Sequence, residues 1–179
     1  QVENRMRKPN IAVLGATGVV GREILKILVE NNVPYNEIKF LASAKSAGKK
    51  IEFKGEEHTI IEATPESFEG VNIVLASAGG STSLKLAPEA VKRGCVFIDN
   101  SSAYRMDKDC PLVIVGVNDN DLKNHKGIIP NPNCSTSQLM LVLKPLHDYA
   151  KIKRMIVSTY QAVSGAGIAA INELKENTV

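Results

Sequence analysis

The residues best suited to chemistry in this sequence include a cysteine that follows a tight turn. Cys134 comes after Asn-Pro-Asn and immediately before an apparent helix that begins at Ser135. The positive end of a helix dipole favours a thiolate, and only the thiolate is a good nucleophile. A cysteine is more often a packing residue than a nucleophile. Cys134 is therefore a candidate catalyst, whereas Cys95 and Cys110 have no comparable placement.

A glycine-rich segment near the start of the chain could bind a dinucleotide. Gly15, Gly18 and Gly21 lie between an apolar run at 10–14 and an amphipathic stretch at 18–32. Residues without a Cβ let the backbone approach a pyrophosphate, which the helix N-terminus attracts. The spacing is G-x-x-G-x-x-G instead of G-x-G-x-x-G, so an ordinary strand-to-helix turn is the alternative interpretation.

The segment after the second apolar strand indicates which dinucleotide is bound. An NAD site usually has an Asp or Glu here for the ribose 2′-hydroxyl. In this chain the strand at 38–42 leads into Ser43, Lys45 and Ser46, with no carboxylate. Hydroxyl and ammonium groups suit a 2′-phosphate, so we predict NADP. The alternative is a solvated basic loop.

The elements that must position these residues alternate between strand and helix. Buried-type strands are predicted at 10–14, 38–42, 71–76 and 95–98, with helices at 18–32 and 81–93, a hairpin or pair of peripheral strands at 49–61, and further short strands at 112–115 and 128–129. Repeated strand, helix, strand units favour a parallel sheet with right-handed crossovers. We predict an α/β fold with a Rossmann-like, mostly parallel sheet and helices on both faces.

The last third of the chain predicts the beginning of a second α/β domain. A turn at 131–133 precedes a helix from Ser135 to about Tyr149 that is apolar almost all round, as a buried helix would be. Pro145 should bend or interrupt that helix. A strand at 154–160 and a helix at 165–177 follow. We therefore divide the chain into an NADP-binding domain, 1–132, and an incomplete second domain, 133–179.

Composition narrows the class of protein. The chain has 179 residues, 44% hydrophobic and 23% charged, with a net charge of +3 and no Trp. This composition favours a globular fold. It indicates neither a nucleic-acid partner nor a metal site. The longest apolar stretches are far shorter than the ~20 residues of a membrane span. No leader pattern opens the sequence, and three cysteines suit reduced thiols, so the cytoplasm is expected. Residues 1–5 have no apolar pattern, and we therefore expect them to form a tail.

Five motifs in this order resemble the aspartate-semialdehyde dehydrogenase family. They occupy residues 15–21, 41–49, 99–107, 131–136 and 158–167, and the resemblance extends from about residue 9 to 177. It implies reversible, phosphate-dependent oxidation of L-aspartate 4-semialdehyde to 4-phospho-L-aspartate, running in the cell as reduction by NADPH. The implied role is in aspartate-family amino-acid biosynthesis (lysine, methionine, threonine and diaminopimelate), in a homodimer or tetramer.

The resemblance also implies a role for each matching residue. Cys134 would form the thioester, Gln161 would orient substrate, and Asn100 with Arg105 would bind phosphate. Cofactor contacts are implied at Gly15, Thr17, Gly18, Val19, Val20, Gly21, Ser43, Lys45, Ser46, Ser77, Ser164 and Gly165. Lys45 departs from the arginine common in the family, which weakens the expected preference for NADP.

Two groups of the family's site have no counterpart in this sequence. The family's substrate-carboxylate arginine and acid–base histidine are expected beyond Val179, so this chain alone should have little turnover. His58, His125 and His147 lie outside the motifs and are interpreted as structural or surface residues.

Three other functions remain open from the sequence. Tyr149 and Lys153, with Ser135 to Ser137 upstream, have the spacing of a short-chain dehydrogenase. That chemistry needs both side chains on one helix face, and the strand-like run after Lys153 argues against it. N-acetyl-glutamyl-phosphate reductase shares the nucleophile and fold. A non-catalytic nucleotide-binding or redox-sensing module is the third alternative.

Overall fold

The computed structural model describes residues 8–178, which form a six-stranded parallel sheet, a separate hairpin and four helices. The tail predicted at residues 1–5 lies outside this range. The strands are β1 (Ile11–Leu14), β2 (Ile38–Ala42), β3 (Lys50–Phe53), β4 (Glu56–Thr59), β5 (Ile61–Glu62), β6 (Ile73–Ala76), β7 (Val96–Asp99) and β8 (Ile128–Pro130). The helices are α1 (Val19–Glu30), α2 (Gly80–Lys92), α3 (Cys134–Ala150) and α4 (Ile168–Asn177).

The main sheet has the order β5-β2-β1-β6-β7-β8, and its paired strands are parallel. All four residues of β1 are buried, as expected for a strand covered on both faces. Their side chains alternate between two cores. Ile11 and Val13 pack with α1, whereas Ala12 and Leu14 pack with α2. The predicted Rossmann-like α/β fold with helices on both faces is confirmed.

The region at 49–61 forms the predicted hairpin, but the final residue belongs elsewhere. Strands β3 and β4 pair antiparallel around Lys54 and Gly55, both with positive φ, which is the backbone conformation of a tight two-residue hairpin turn. The hairpin packs Phe53 and His58 against Phe40 of β2. Ile61 instead begins β5, which extends the main sheet beside β2.

Two predicted strands are wrong. Residues 112–115 form no strand because the Asn118 side chain binds this segment locally. Its Oδ1 accepts from the Ile114 N–H (2.8 Å), and its Nδ2 donates to the Leu112 carbonyl (3.0 Å). Residues 154–160 have no regular secondary structure. A strand needs a neighbour for its N–H and C=O groups, and no described strand lies beside this segment.

Helix α3 differs from its prediction in three respects. It begins one residue earlier, at Cys134, and it continues through Pro145. Proline removes one N–H donor from a helix, and on an exposed helix water can serve the carbonyl left free. The helix has no buried residue among those described, because no described element covers its apolar side. The predicted interruption at Pro145 is therefore wrong, and the predicted burial is not found among residues 8–178, whereas a bend at Pro145 stays a prediction.

The final helix starts later than predicted. Residues Val163–Ala166 form a 3₁₀ turn, and α4 begins at Ile168 after Gly167. Gly167 has φ +91°, a backbone conformation that separates the two helical segments.

None of the helices described in residues 8–178 combines the length and the apolar character that a membrane span requires.

Candidate active site

The candidate active site lies along the edge of the sheet where the parallel strands end. The residues after β1, β6, β7 and β8 are each held by the carbonyl of a neighbouring strand. Gly15 N–H donates to Leu41 O (2.8 Å), Ser77 N–H to Leu14 O (2.8 Å), Asn100 N–H to Ala76 O (2.9 Å) and Asn131 N–H to Asp99 O (2.7 Å). Open parallel sheets bind ligands at this edge. Residues from four sequence motifs are thereby brought together.

The three glycines of the first turn have different structural tasks. Gly15 has φ +86°, and a Cβ there would lie 2.9 Å from the Ser77 backbone. A Cβ at Gly21 would overlap Gly15 O and lie 2.8 Å from Gly15 C. Gly18, the N-cap of α1, has an ordinary φ of −74° and no side-chain cap. The first turn of α1 therefore offers backbone N–H groups to an anion.

A cavity of about 610 Å³ opens beside this turn and is called the turn cavity here. Five residues predicted to contact the cofactor line it: Gly15, Thr17, Gly18, Ser43 and Ser77. Sequence reasoning missed other lining residues, namely Glu62, Ala63, Ala78, Ser81, Thr82 and Lys85. The start of α2 shortly after a buried strand, with residues 77–79 between them, is the signal that could have identified Ser81 and Thr82.

Lys45 and Ser46 do not line the turn cavity. They belong to the turn that follows β2, where the Ser46 N–H donates to the Ser43 carbonyl (2.9 Å). Lys45 is exposed, and Ser43 is the residue of this turn that reaches the cavity together with Ala44. Gly21 also lies outside the lining because it is buried beneath the turn.

A second cavity, of about 440 Å³ and called the crevice here, joins the first turn to the 3₁₀ turn at Val163–Ala166. It contains seven of the predicted site residues: Gly18, Val19, Val20, Ser77, Asn100, Ser164 and Gly165. Gln161 lies against the same turn, with its Cδ 3.1 Å from the position that a Cβ on Gly165 would take. Groups from both halves of the sequence therefore share one opening.

The loop after β7 is held by a buried carboxylate. Asp99 has no exposed surface, and it accepts hydrogen bonds from Ser83 Oγ (2.7 Å), Ser101 N–H (3.0 Å) and Ser101 Oγ (2.7 Å). At the end of the loop, Arg105 Nε donates to Asn131 O (2.7 Å), and Nη2 donates to Asn100 O (3.2 Å). This loop, residues 100–105, is called the anion loop below.

Cys134 is exposed at the first position of α3. Asn133 caps the helix, because its Oδ1 accepts from the N–H groups of Ser135 (3.0 Å) and Thr136 (3.4 Å). An Asn cap defines where the helix begins, and so it fixes the sulfur at the positive end of the helix dipole. The predicted placement of this cysteine at a helix start is found in the structure.

The other two cysteines have environments that suppress reactivity. Cys95 is buried, and its Sγ lies 3.1 Å from the Val71 carbonyl. Burial raises the pKa of the Cys95 thiol above its usual value. Burial, assisted by the charge of Asp107, likewise raises the pKa of the Cys110 thiol. Both thiols stay protonated at neutral pH, and a protonated thiol is a poor nucleophile.

The pair Tyr149 and Lys153 does not form a short-chain dehydrogenase site. Helix α3 ends at Ala150, and Lys151 takes a left-handed conformation with φ +53°. Lys153 therefore lies outside the helix that carries Tyr149, which is 93% exposed. The i to i+4 geometry that this chemistry needs is missing.

The three histidines lie away from the two cavities. His58 packs on Phe40, His125 Nδ1 accepts from the Gly127 N–H (3.1 Å), and His147 is exposed on α3. Among residues 8–178 no group of three or more His, Cys, Asp or Glu is placed to bind a metal ion.

Comparison with known families matches both parts of the chain. The family described as semialdehyde dehydrogenase, NAD binding domain, matches residues 10–125, and the semialdehyde dehydrogenase dimerisation domain matches residues 143–179. The chain belongs to the semialdehyde dehydrogenase family. The glycine turn lies in the segment that matches the NAD-binding domain.

Individual relatives agree with this assignment. The chain is 56% identical to the aspartate-semialdehyde dehydrogenase of Bacillus subtilis over 169 residues, covering 94% of the chain and 49% of that protein. The aspartate-semialdehyde dehydrogenase of Aquifex aeolicus is also 56% identical, over 171 residues, with 94% and 50% covered. The chain spans about half the length of the curated relatives it matches.

Solved structures of semialdehyde dehydrogenases share the fold. Aspartate semialdehyde dehydrogenase II of Vibrio cholerae, complexed with ASA, has a TM-score of 0.91 and 43% identity, covering 96% of this chain and 52% of that one. The enzyme of Candida albicans with NADP has a TM-score of 0.67 and 27% identity, covering 80% and 48%.

Proposed function

We propose that this chain carries the cofactor site and the nucleophile of an NADP-dependent aspartate-semialdehyde dehydrogenase. In the direction proposed for the cell, the enzyme reduces 4-phospho-L-aspartate to L-aspartate 4-semialdehyde and releases inorganic phosphate. The observation that carries the proposal is the link between two loops at the sheet edge. Arg105 of the anion loop donates to Asn131, three residues before Cys134. The proposed phosphate-binding group is thus hydrogen-bonded to the loop that leads to the proposed nucleophile.

Cys134 is proposed as the nucleophile. Its Sγ would attack the acyl carbon of the aspartyl phosphate and form a thioester as phosphate leaves. This divides one difficult transfer into two easier steps. The sulfur lies at the start of α3, which is the positive end of the helix dipole. Exposure of the sulfur leaves room for a substrate to approach.

Asn100 and Arg105 are proposed to bind the phosphate, and Gln161 to orient the substrate. Two guanidinium nitrogens of Arg105 already donate to backbone carbonyls, which holds the side chain in one direction. Its remaining N–H groups can still donate to phosphate oxygens, for which the planar guanidinium is well suited. Asn100 lines the crevice, and Gln161 borders it beside Gly165.

We propose that the turn cavity and the crevice together hold an NADP molecule. The glycine turn has backbone positions where a Cβ would collide, which is the form of a phosphate cradle. Its proposed contacts are Gly15, Thr17, Gly18, Val19, Val20, Gly21, Ser43, Lys45, Ser46, Ser77, Ser164 and Gly165. The bound nicotinamide would supply hydride chemistry. The protein residues would bind the cofactor, orient it and keep water from the thioester.

The remaining expectations extend to the complete protein. We propose a domain boundary near residue 132, a cytoplasmic location and a homo-oligomer. The apolar, exposed side of α3, with Val142 and Leu146 each more than half exposed, supports burial against further protein.

The substrate assignment is tested with full-length protein and two acyl phosphates. With NADPH present, 4-phospho-L-aspartate should be reduced, and N-acetyl-glutamyl phosphate should react at least about tenfold more slowly. Reduced-nucleotide absorbance measures both rates. Preference for the acetylated glutamyl substrate would assign the chain to the related reductase. A nucleotide-dependent rise in melting temperature without reduction of either substrate would support a binding module instead.

Replacing Lys45 with alanine should weaken NADP binding about fivefold and leave NAD binding unchanged. The reason is loss of one ammonium near the proposed 2′-phosphate, an interaction on the order of 1 kcal/mol at an exposed site. Titration calorimetry with each nucleotide gives the two dissociation constants. Lys123→Ala, which removes the same charge from an exposed position far along the chain, is the control. Equal loss for NADP and NAD would contradict the assignment.

Replacing Gly165 with alanine should lower kcat/KM for the acyl phosphate roughly 10- to 100-fold, because misplacing a positioning group by about 1 Å can cost that much. The new Cβ would overlap the end of the Gln161 side chain, which must rotate away. The melting temperature should change little, since a flexible side chain can move. Gly80→Ala is the matched control, because its Cβ would meet only Ala103 Cβ at 3.9 Å. Full activity of the Gly165 variant would show that catalysis does not require the Gln161 side chain in its present position.

A further inference from the structure

Asp99 is a buried carboxylate that the proposed chemistry does not use. It has no exposed surface and ends β7, between Ala76 of β6 and Pro130 of β8. Both oxygens are bonded. Oδ1 accepts from Ser83 Oγ and Ser101 N–H, and Oδ2 accepts from Ser101 Oγ.

A carboxylate at this position is costly to bury. Removing a charge from water is unfavourable unless donors replace the lost hydration. A side chain that only filled space here could be apolar. Asp99 instead fixes two hydroxyl groups on different elements, Ser83 of α2 and Ser101 of the anion loop. Burial in low dielectric strengthens these charge-assisted hydrogen bonds and makes the arrangement rigid.

The network extends from Asp99 into the anion loop. Ser101 Oγ, which donates to Asp99, also accepts from the Ala103 N–H (3.1 Å). The loop is therefore folded back over the carboxylate before it reaches Arg105. Loss of the Ser101 hydroxyl would remove the side-chain bond between the loop and Asp99, although the Asn100 N–H would still donate to Ala76 O.

The same residue also holds the loop that leads to the nucleophile. The Asp99 carbonyl accepts from the Asn131 N–H (2.7 Å), and the Asn131 carbonyl accepts from Arg105 Nε (2.7 Å). The side chain of Asp99 thus orders the anion loop, while its backbone orders the loop before Cys134. Arg105 closes the ring between the two loops.

We propose that Asp99 is a positioning residue whose carboxylate, acting through Ser101, holds the anion loop so that Arg105 meets the substrate phosphate beside Cys134. This inference rests on the proposed function, because it assumes that Arg105 binds phosphate. It adds that Arg105 binds well only when the buried network is intact.

The test compares four variants in the full-length enzyme: Ser101→Ala, Ser101→Thr, Asp99→Asn and Arg105→Ala. Activity is measured in the oxidative direction with inorganic phosphate as the varied substrate. Ser101→Ala should raise the KM for phosphate about tenfold, the effect of losing one charge-assisted hydrogen bond. Its KM for NADP should stay within about twofold, since the glycine turn is untouched. Ser101→Thr, which keeps the hydroxyl, should restore the phosphate KM.

A stability control separates positioning from general loosening of the fold. Ile60→Val removes one methylene from the core that packs on α1, away from Asp99. It should lower the melting temperature and leave the phosphate KM unchanged. If Ser101→Ala behaves like Ile60→Val, the network is only structural and the inference is overturned. Asp99→Asn should resemble Ser101→Ala. If it does not fold, the two Ser101 variants decide the matter.

The Arg105→Ala variant distinguishes a failure of the positioning role of Asp99 from a failure of the proposed phosphate site. A large rise in phosphate KM for Arg105→Ala, with none for Ser101→Ala, overturns the positioning role and leaves the proposed function standing. An unchanged phosphate KM for Arg105→Ala overturns the assignment of phosphate binding and the inference with it.

Discussion

Replacing Cys134 with serine is expected to lower turnover of the full-length enzyme by roughly 10³-fold or more. A serine hydroxyl is almost wholly protonated at neutral pH, and it is a much weaker nucleophile towards an acyl phosphate than a thiolate. The variant should keep its fold, because the side chain is exposed at the helix start.

The sharper measurement is covalent labelling. The wild-type protein mixed with 4-phospho-L-aspartate, without reduced nucleotide, should gain one aspartyl group at Cys134, seen by peptide mass spectrometry. The Cys134→Ser variant should gain none. Cys95→Ser and Cys110→Ser are the matched controls and should label normally, since both native thiols have raised pKa values. Acylation at Cys110 in place of Cys134, or undiminished turnover by the serine variant, would contradict the thioester mechanism.

Replacing Gly21 with alanine is expected to destabilise the protein by about 1 to 3 kcal/mol, or more, and to abolish nucleotide binding. The new Cβ would overlap Gly15 O and lie 3.0 Å from Ala16 Cα. Both neighbours are backbone atoms, and they cannot rotate away as a side chain can. Relief requires moving the turn that would cradle the pyrophosphate.

Thermal unfolding and nucleotide titration test this prediction together. Gly80→Ala is the control, because its Cβ would meet only Ala103 Cβ, at 3.9 Å. We expect its melting temperature to remain near that of the wild type. A Gly21→Ala protein that melts normally and binds NADP would show that the turn can rearrange at little cost.

The features predicted correctly depend on residues close together in the sequence. The apolar run at 10–14 followed by spaced glycines predicted β1, the turn and α1, because periodicity and missing side chains act over a few residues. Asn133 before Cys134 is a helix-start signal of the same local kind. The order of the five motifs along the sequence predicted the family.

The predictions that were wrong depended on distant partners. Residues 154–160 have the composition of a strand, but the structure places no described strand beside them. Helix α3 has the composition of a buried helix, but its neighbours among residues 8–178 leave it exposed. Glu62 and Lys85 gave no sign of lining the turn cavity, because they come from separate parts of the chain.

The sequence by itself determined the α/β character, the glycine turn and the position of Cys134 at the start of a helix. Only the tertiary structure decided that Asp99 is buried and joined to Ser83 and Ser101, and that Arg105 reaches across to Asn131. The physical reason is the separation along the chain over which each kind of interaction acts. Propensity, capping and periodicity act between near neighbours, whereas burial and hydrogen bonds between loops exist only after the sheet has brought its strand ends together.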